Sequence, residues 1–285
     1  MIAAGLDVGS RTIVLVTVEG GEVRHRAIAS TGINPLQRSR DLLSEISYDR
    51  LVVTGYGRRL VGPQVGGEAV SEISAYAAGV RHLYQDCRTV IDVGGQDSKV
   101  IFLSESGQVE KFEMNDRCAA GTGKFLEIMA TTLEVSTDEL SELAESATKT
   151  VQINSLCTVF AESEVVSLIA RGEEASAIAL ALHEAIATRV AAMVRRGGPR
   201  SPVVFAGGGA LNRCLHRLLG EKLGVALVIP QDPQATGALG AALIAGRAAE
   251  ATVSLSTARP REVPPSTPHA RCADISSTAS GGGVV

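Results

Sequence analysis

One short motif occurs twice in this chain, and its recurrence constrains the fold more than any other feature. Leu6-Asp7-Val8-Gly9 and Ile91-Asp92-Val93-Gly94 each end an apolar run, and each precedes two further runs of β-forming residues. A glycine turn divides those later runs in both copies, at Gly20-Gly21 and at Ser106-Gly107. Because such runs pair as hairpins across tight turns, the pattern predicts an internal duplication in which each copy begins with three adjacent strands.

The remaining periodicity predicts an α/β protein. Strands are predicted over residues 2–8, 12–18, 23–29, 51–54, 89–93, 98–103, 109–114, 203–206 and 226–229. Helices are predicted over residues 36–46, 71–84, most of 123–196, a segment ending near 223, and 234–247. We predict one domain from residues 1–70 plus 232–250 and a second from residues 71–231. Residues 251–285 are predicted to be a disordered tail, because Ser, Thr, Pro and Gly are frequent there without an apolar period.

The paired Asp-Val-Gly turns have a chemical use as well as a structural one. Glycine lets the backbone approach phosphate oxygens and point its N–H groups at them, and a carboxylate at the strand end can hold hydrated Mg²⁺. One such turn ends many strands without binding anything, but two copies that each open a hairpin favour a phosphate clamp. We therefore predict that Asp7 and Asp92 organise Mg²⁺ through water. If the bound phosphate is hydrolysed, Gln96 or Asp97 is the candidate to orient the water that attacks it.

Further glycines complete the predicted nucleotide site. Phe205 lies in a strand that runs into three glycines and then a helix, which lets the backbone lie against a base and ribose. The predicted nucleotide contacts are Gly9, Ser10, Arg11, Gly94, Gly95, Gly207, Gly208, Gly209, Asn212 and Gln234. Four more, which connect the nucleotide site to a cysteine in sequence, are Gly121, Thr122, Gly123 and Lys124. A helix-start turn with a solvated lysine explains these four equally well.

This ordered set of loops resembles the acetate kinase, sugar kinase, heat-shock ATPase and actin superfamily over most of residues 2–247. The resemblance implies an actin-like ATPase, with two duplicated RNase H-like lobes around a cleft for ATP. Small residues in the helices at 71–79 and 236–246 agree, because they permit the close crossing that a hinge between lobes requires. A rival phosphate motif is excluded, since Phe125 follows Gly123-Lys124 where a Walker A loop has Ser or Thr.

Five cysteines are present, and two of them stand apart. Cys118 and Cys157 each come just before a predicted helix, where the helix dipole favours a thiolate. An iron–sulfur cluster needs roughly four thiolates, so two from each subunit of a symmetric dimer would complete one. Zinc is an alternative with the same number of ligands. Cys87 and Cys214 are interpreted as small buried side chains, and Cys272 lies in the predicted tail.

A more specific resemblance spans about residues 5–247. Four stretches carry it, namely Thr54-Gly55-Tyr56-Gly57-Arg58 and residues 91–99, 114–123 and 157–164. They resemble the activators (component A) of 2-hydroxyacyl-CoA dehydratases, in the BadF/BadG/BcrA/BcrD-type family that also holds the ATPase subunits of benzoyl-CoA reductase. The resemblance implies that Cys118 and Cys157 of two subunits ligate one [4Fe–4S] cluster in a homodimer. It also implies that ATP hydrolysis drives one low-potential electron from a ferredoxin or flavodoxin into a partner dehydratase.

Other functions remain open at this point. Close alternatives are the ATPase subunit of a benzoyl-CoA reductase and a reductase for a double-cubane cluster protein. A small-molecule kinase of the same fold would need no iron. A nucleotide-dependent scaffold, as in actin-like polymers, would not need the two cysteines.

Composition argues against two classes of partner. A net charge of −4 with scattered Lys and Arg provides no basic surface for nucleic acid. The most apolar predicted helix contains Glu184 and Arg189, so no membrane span is predicted. The N-terminus also lacks the cationic segment of a secretory signal. We therefore predict a cytoplasmic protein.

Overall fold

The computed structural model describes residues 1–154 and 157–257, which contain two mixed five-stranded sheets. The strands of the first sheet are β1 (Ile2–Val8), β2 (Thr12–Glu19), β3 (Glu22–Ser30), β4 (Arg50–Thr54) and β5 (Glu68–Ala69), in the order β3-β2-β1-β4-β5. The strands of the second sheet are β6 (Thr89–Val93), β7 (Ser98–Leu103), β8 (Val109–Asn115), β9 (Val203–Ala206) and β10 (Leu227–Val228), in the order β10-β9-β6-β7-β8.

The two sheets repeat one pattern of pairing. β1 pairs antiparallel with β2 and parallel with β4, and β6 pairs in the same way with β7 and β9. Asp7 lies opposite Val14 across the first hairpin, and Asp92 lies opposite Lys99 at the matching place in the second. Strand order, direction and register all agree, so the predicted duplication is confirmed.

Helices cover both sheets. In the described residues they are α1 (Pro35–Ser44), α2 (Arg58–Val61), α3 (Glu72–Leu83), α4 (Gly123–Thr132), α5 (Thr137–Ser146), α6 (Thr158–Ala170), α7 (Ala175–Gly197), α8 (Arg213–Leu223) and α9 (Thr236–Thr257). The short elements α2 and β5 were not predicted. The sequence pattern ended the last helix at Arg247, whereas α9 runs to Thr257. The rest of the predicted tail, residues 258–285, lies outside the described residues.

The largest core surrounds α7, the longest helix described. The fully buried rings of Phe102, Phe125 and Phe205 belong to this core. By length and composition alone, α7 is the one helix in the described part of the chain that is apolar enough to cross a membrane. However, 67% of its most apolar window is buried inside the protein, so its composition reflects its place in the core.

α3 and α9 cross with glycine at the point of contact. A Cβ atom on Gly79 would overlap the carbonyl oxygen of Thr236, and one on Gly240 would overlap the carbonyl oxygen of Ala75. Glycine is required at both positions because the obstructing atoms belong to the backbone. The predicted close crossing of two small-residue helices is confirmed.

Gly240→Ala is expected to lower the free energy of unfolding by about 1–3 kcal/mol, because the added methyl group forces the two helices apart. Gly246→Ala in the same helix is the matched control. There the nearest atom is the Cβ of Ala3 at 3.8 Å, so loss of a mid-helix glycine should stabilise the protein by roughly 0.5–1 kcal/mol. Urea unfolding followed by circular dichroism measures both. Equal effects at the two positions would contradict the backbone contact at Gly240.

Candidate functional site

A cleft of about 640 Å³ lies between the two sheets, and the three predicted glycine loops line it. The predicted site residues in its wall are Asp7, Gly9, Ser10, Arg11, Asp92, Gly94, Gly95, Gln96, Asp97, Gly123, Gly207, Gly208, Gly209, Asn212 and Gln234. Gly121, Thr122 and Lys124 are not among the described residues that line it. The fold therefore brings most of the predicted site residues together from distant parts of the chain. The three exceptions lie just before α4 or in its first turn.

The first two loops share one geometry. The N–H of Gly9 donates to the carbonyl of Thr12 at 3.0 Å, and the N–H of Gly94 donates to the carbonyl of Asp97 at 2.9 Å. The third loop contacts the second one at Gly207, where a Cβ atom would overlap Oδ1 of Asp92. Gly207 also has a φ of +78°, which favours glycine. Only glycine fits at this position, where the backbone of one loop touches the carboxylate of another.

Two buried carboxylates lie at the cleft floor, one at the end of each duplicated strand. Burial raises the pKa of Asp7 to about 7 and that of Asp92 to about 6, against an ordinary value of 3.8. The neighbouring carboxylates Glu72 and Asp97 raise both values further, whereas Lys99 opposes the shift. Oδ1 of Asp92 is buried without a hydrogen-bond partner in the described structure. A divalent cation would supply that partner and stabilise both charges, so the pair fits hydrated Mg²⁺.

The free energy of unfolding of the nucleotide-free protein is expected to fall as the pH rises. Folded Asp7 keeps its proton to about pH 7, whereas an unfolded aspartate loses it near 3.8. The contribution is therefore fully present below pH 3.8 and is lost as the pH passes about 7. Its size is on the order of several kcal/mol, since one pKa unit corresponds to about 1.4 kcal/mol.

Urea unfolding of wild type and Asp7→Asn at pH 5 and pH 8 measures this contribution. The amide does not titrate, so the variant should gain stability relative to wild type at pH 8. Asp86→Asn, at an exposed position, is the control and should show no such gain. A difference between wild type and Asp7→Asn that does not change with pH would contradict the raised pKa.

Lys99 is a site residue that the sequence motifs contain but to which they give no role. Its Nζ lies 2.6 Å from Oε2 of Glu72, 3.2 Å from Oδ2 of Asp92 and 2.5 Å from Oδ1 of Asp97. The side chain is only 3% exposed. These carboxylates outweigh the cost of burial and raise its pKa, so the ammonium stays charged. The pairing of β6 with β7 could have identified Lys99 as a site residue, because it places Lys99 directly opposite Asp92.

The two candidates for orienting water differ in exposure. Asp97 is buried and ion-paired to Lys99, whereas the side chain of Gln96 is exposed in the cleft. Arg11 reaches across the cleft from the first loop, with Nε at 2.6 Å from Oε1 of Glu127 on α4. Glu127 also lies 3.5 Å from Nζ of Lys124, which places this predicted nucleotide contact beside an acidic partner.

Asn212 lines the cleft, but its side chain supports the third loop. Oδ1 accepts from the N–H of Leu215 at 2.8 Å, which caps α8, and from the hydroxyl of Ser141 at 3.2 Å. Nδ2 lies 2.9 Å from Nε2 of His183, and Nδ1 of this buried ring lies 2.8 Å from the carbonyl of Ala179. The neutral ring with its proton on Nδ1 satisfies both contacts.

Helix α5 forms an acidic wall of the cleft that the sequence analysis missed. Asp138, Glu142 and Glu145 all line it. A capping box at Ser136 and Glu139 starts the helix and fixes this face. Carboxylates here can accept hydrogen bonds from hydroxyl and amino groups.

The loop that carries Cys118 leads into α4, whose first residues are bonded to the second predicted phosphate loop. The N–H of Gly123 donates to the carbonyl of Gly94 at 2.9 Å, and the N–H of Lys124 donates to that of Gly95 at 2.8 Å. The hydroxyl of Ser98 also donates to the carbonyl of Gly121. Asn115 shapes the rest of the loop, since its Nδ2 donates to the carbonyls of Cys118 and Ala120, both at 2.9 Å.

The cysteines agree with the sequence analysis except in one respect. Cys157 is the N-cap of α6, so it directly precedes a helix as predicted, and it is exposed. Cys118 is half-buried in the loop before α4, which begins only at Gly123, so the prediction that it directly precedes a helix was wrong. The loop is kept out of the helix there by Gly121 at φ +90° and by Thr122 as N-cap.

The other cysteines are not available as ligands in the described structure. Cys87 and Cys214 are buried, and burial raises the pKa of each thiol to about 11. Cys272 lies outside the described residues. Within residues 1–154 and 157–257, no group of three or more His, Cys, Asp or Glu side chains is set to hold a metal ion.

Comparisons with known proteins agree with this geometry. A family model described as the BadF/BadG/BcrA/BcrD ATPase family matches residues 4–245. The activator of lactoyl-CoA dehydratase from Anaerotignum propionicum is 41% identical over 88% of this chain and 99% of its own length. One of the subunits of benzoyl-CoA reductase from Thauera aromatica is 32% identical over 85% of this chain and 92% of its own length.

Solved structures show the same fold. The activator of 2-hydroxyisocaproyl-CoA dehydratase from Clostridium difficile, with bound ADPNP, has a TM-score of 0.82 and 36% identity, and the match covers 92% of this chain and 100% of that one. A ROK family glucokinase from Streptomyces griseus, in complex with glucose and AMPPNP, has a TM-score of 0.56 at 12% identity over 87% of this chain and 100% of that one, and is similar in fold alone. The predicted two-lobed α/β fold of the actin-like superfamily is confirmed.

Proposed function

Because this chain belongs to the BadF/BadG/BcrA/BcrD ATPase family, we propose that it uses ATP hydrolysis to donate one low-potential electron to a partner 2-hydroxyacyl-CoA dehydratase. The ATPase family and the dehydratase activators among its relatives support the activator role. The coupling of hydrolysis to an electron is the new step, and it needs a physical connection between the nucleotide site and a redox centre.

One observation carries the proposal, namely the main-chain bonds between the second phosphate loop and the loop of Cys118. Gly94 and Gly95 line the cleft, and their carbonyls accept from the first two residues of α4. Cys118 lies in the loop that leads directly into that helix. A shift of the Gly94-Gly95 turn on binding or loss of a phosphate therefore moves the backbone next to Cys118.

Arg11 supplies a second connection to α4. Its guanidinium pairs with Glu127 on that helix. A phosphate beside Gly9 and Ser10 would compete for this guanidinium, since phosphate and carboxylate accept the same N–H donors. Binding of ATP would then release Glu127 and, with it, the side of α4 that faces the cleft.

The chain's own residues would hold MgATP as follows. Asp7 and Asp92 would bind Mg²⁺ through water, and Asp92 has a free buried oxygen in the cleft wall. The glycine loops would accept the phosphates, and the carboxylates of α5 would accept hydrogen bonds from the nucleoside. Gln96 and Asp97 remain the candidates to orient water, and hydrolysis depends on this positioning and on charge neutralisation.

Cys118 and Cys157 would hold a [4Fe–4S] cluster, two thiolates from each subunit of a homodimer. The cluster would supply one-electron transfer at low potential, with a reduced ferredoxin or flavodoxin as donor. The donor set fits half of such a cluster, because these two thiols are accessible while Cys87 and Cys214 are buried. Beside Cys157, α6 exposes apolar side chains that would suit a subunit contact, namely Val159, Phe160, Val166 and Ile169. We place this reaction in the cytoplasm.

An activation assay tests the proposal. Anaerobically purified protein is mixed with reduced ferredoxin, MgATP and purified lactoyl-CoA dehydratase, and dehydration is followed. Activity is expected with ATP and not with ADPNP, because hydrolysis is required. Dehydration at the same rate with ADPNP, or without this protein, would overturn the coupling.

The similarity to a benzoyl-CoA reductase component favours a second candidate, an ATPase subunit of such a reductase. The same assay with a reductase lacking its own ATPase subunit, read as ATP-dependent reduction of an aryl-CoA, separates the two. A kinase is less favoured, since the glucokinase is similar in fold alone.

A further inference from the structure

A buried lysine whose three protons are all committed occupies the cleft floor. The Nζ of Lys99 reaches Glu72, Asp92 and Asp97, each within 3.2 Å, and an ammonium has three N–H donors. No donor is left for a phosphate oxygen. Lys99 therefore acts on its three carboxylates rather than on a ligand.

The fold itself does not require this lysine. The two hairpins pair in the same register, and the residue opposite Asp7 is Val14 where the residue opposite Asp92 is Lys99. Both hairpins form, and both bury the position. Only the second hairpin has a cation at this position, which indicates that Lys99 has a function specific to the loop after β6.

Glu72 connects Lys99 to the first sheet. It is the first residue of α3, and it uses its two oxygens separately. Oε2 lies 2.6 Å from Nζ of Lys99, and Oε1 lies 3.2 Å from Nη1 of Arg58. The same Nη1 donates to the carbonyl of Gly55 at 2.8 Å. Gly55 in turn packs against Asp7, since a Cβ atom on it would overlap Oδ1 of that residue.

We propose that Arg58, Glu72 and Lys99 form a positioning relay, which sets the Asp92 and Asp97 carboxylates for hydrolysis according to the placement of the first sheet. The relay runs without a gap from the main chain after β4, through the start of the hinge helix α3, to the second phosphate loop. A change in the angle between the lobes alters where Glu72 holds Lys99, and hence where Asp97 and Oδ2 of Asp92 lie. These are positioning residues, because they act on the reaction through the two aspartates.

The proposal rests on ATP hydrolysis in this cleft, and Glu72→Gln tests it. The amide keeps the shape but loses the charge that holds Lys99, so kcat for ATP hydrolysis should fall about tenfold or more. The dissociation constant for a fluorescent ADP analogue should change less than about threefold, because the glycine loops are intact. A loss of affinity equal to the loss of kcat would overturn the relay and indicate general distortion.

A double-mutant cycle gives the second readout. Arg58→Gln should lower kcat by itself, since Arg58 orients Glu72. In the Glu72→Gln background it should have no further effect, because residues in one chain of contacts are not additive. Independent, multiplying losses would contradict a relay. Arg58 is partly exposed, so its variant should fold even if Glu72→Gln proves unstable.

The matched controls are Arg59→Gln and Glu68→Gln, which remove the same charges at exposed neighbouring positions. Neither should change kcat. The kcat measurements follow phosphate release, and both these and the binding measurements use the protein alone, without partner enzyme. A protein that hydrolyses ATP through the relay but activates no dehydratase would contradict the proposed function and leave the relay intact.

Discussion

The variant Cys118→Ser, Cys157→Ser, purified without oxygen, is expected to contain no iron, whereas wild type should hold about two iron and two sulfide ions per chain. The reason is the donor count. Among the described residues, Cys118 and Cys157 are the two thiols that are not buried, and a serine hydroxyl does not replace a thiolate as ligand. Iron and sulfide analysis of the purified proteins, with gel filtration, measures both the ligand loss and the subunit number.

Matched variants make this result specific. Cys272→Ser should keep its iron, since that cysteine is not expected to be a ligand. Each single variant should lose most of it, because one missing residue removes two of the four ligands in a dimer. Wild type without iron even after anaerobic reconstitution would refute the cluster. Zinc in its place, lost in the same variants, would identify a structural metal and not an electron carrier.

The second large effect is expected for Asp92→Asn, which should reduce kcat for ATP hydrolysis on the order of 100-fold or more. Asp92 lines the cleft and has one buried oxygen, Oδ1, without a hydrogen-bond partner in the described structure, and an amide there is a much weaker partner for hydrated Mg²⁺ than a carboxylate. The variant should also need a higher Mg²⁺ concentration for half-maximal activity. Steady-state hydrolysis over a Mg²⁺ titration measures both quantities.

Stability separates loss of chemistry from loss of fold in this variant. Burial disfavours the charged form of Asp92, and Lys99 keeps two other carboxylate partners, Glu72 and Asp97. Asp92→Asn is therefore expected to remain folded, with a melting temperature close to that of wild type. Asp86→Asn, at the exposed position, should leave kcat unchanged. Near-normal hydrolysis by folded Asp92→Asn would remove Asp92 from the magnesium site.

The sequence was most informative where local chemistry decides the structure. The strands are marked by β-branched runs that end in glycine turns, and the predicted helix at 71–84 begins where the side chain of Ser71 caps α3. The two turns that line the cleft were identified because Asp-Val-Gly occurs twice, and a repeated turn is stronger evidence than a single one. The small residues of α3 and α9 also predicted their own packing, because a close backbone crossing excludes larger side chains.

The parts that could not be predicted depend on contacts between distant segments. Lys99 has the sequence pattern of an ordinary strand lysine, and its burial results from Glu72 on a preceding helix and from Asp92 on the facing strand. The acidic residues of α5 have the spacing of an ordinary solvated helix face, and only the tertiary fold turns that face into the cleft wall. Cys118 was wrongly expected to lie directly before α4, because the loop between it and the helix continues through Gly121, whose φ is +90°, to the N-cap Thr122.

The bonds that attach α4 to the second phosphate loop have a consequence for mutagenesis and for evolution. Their donors, at Gly123 and Lys124, and their acceptors, at Gly94 and Gly95, are peptide groups. The variant Lys124→Ala would therefore keep the bond to Gly95, and an assay of this variant would not measure what the bond contributes. Only a change to the backbone itself, such as a proline or an amide-to-ester replacement at position 124, removes one of these bonds. The side chain at this position can therefore change without loss of this main-chain bond.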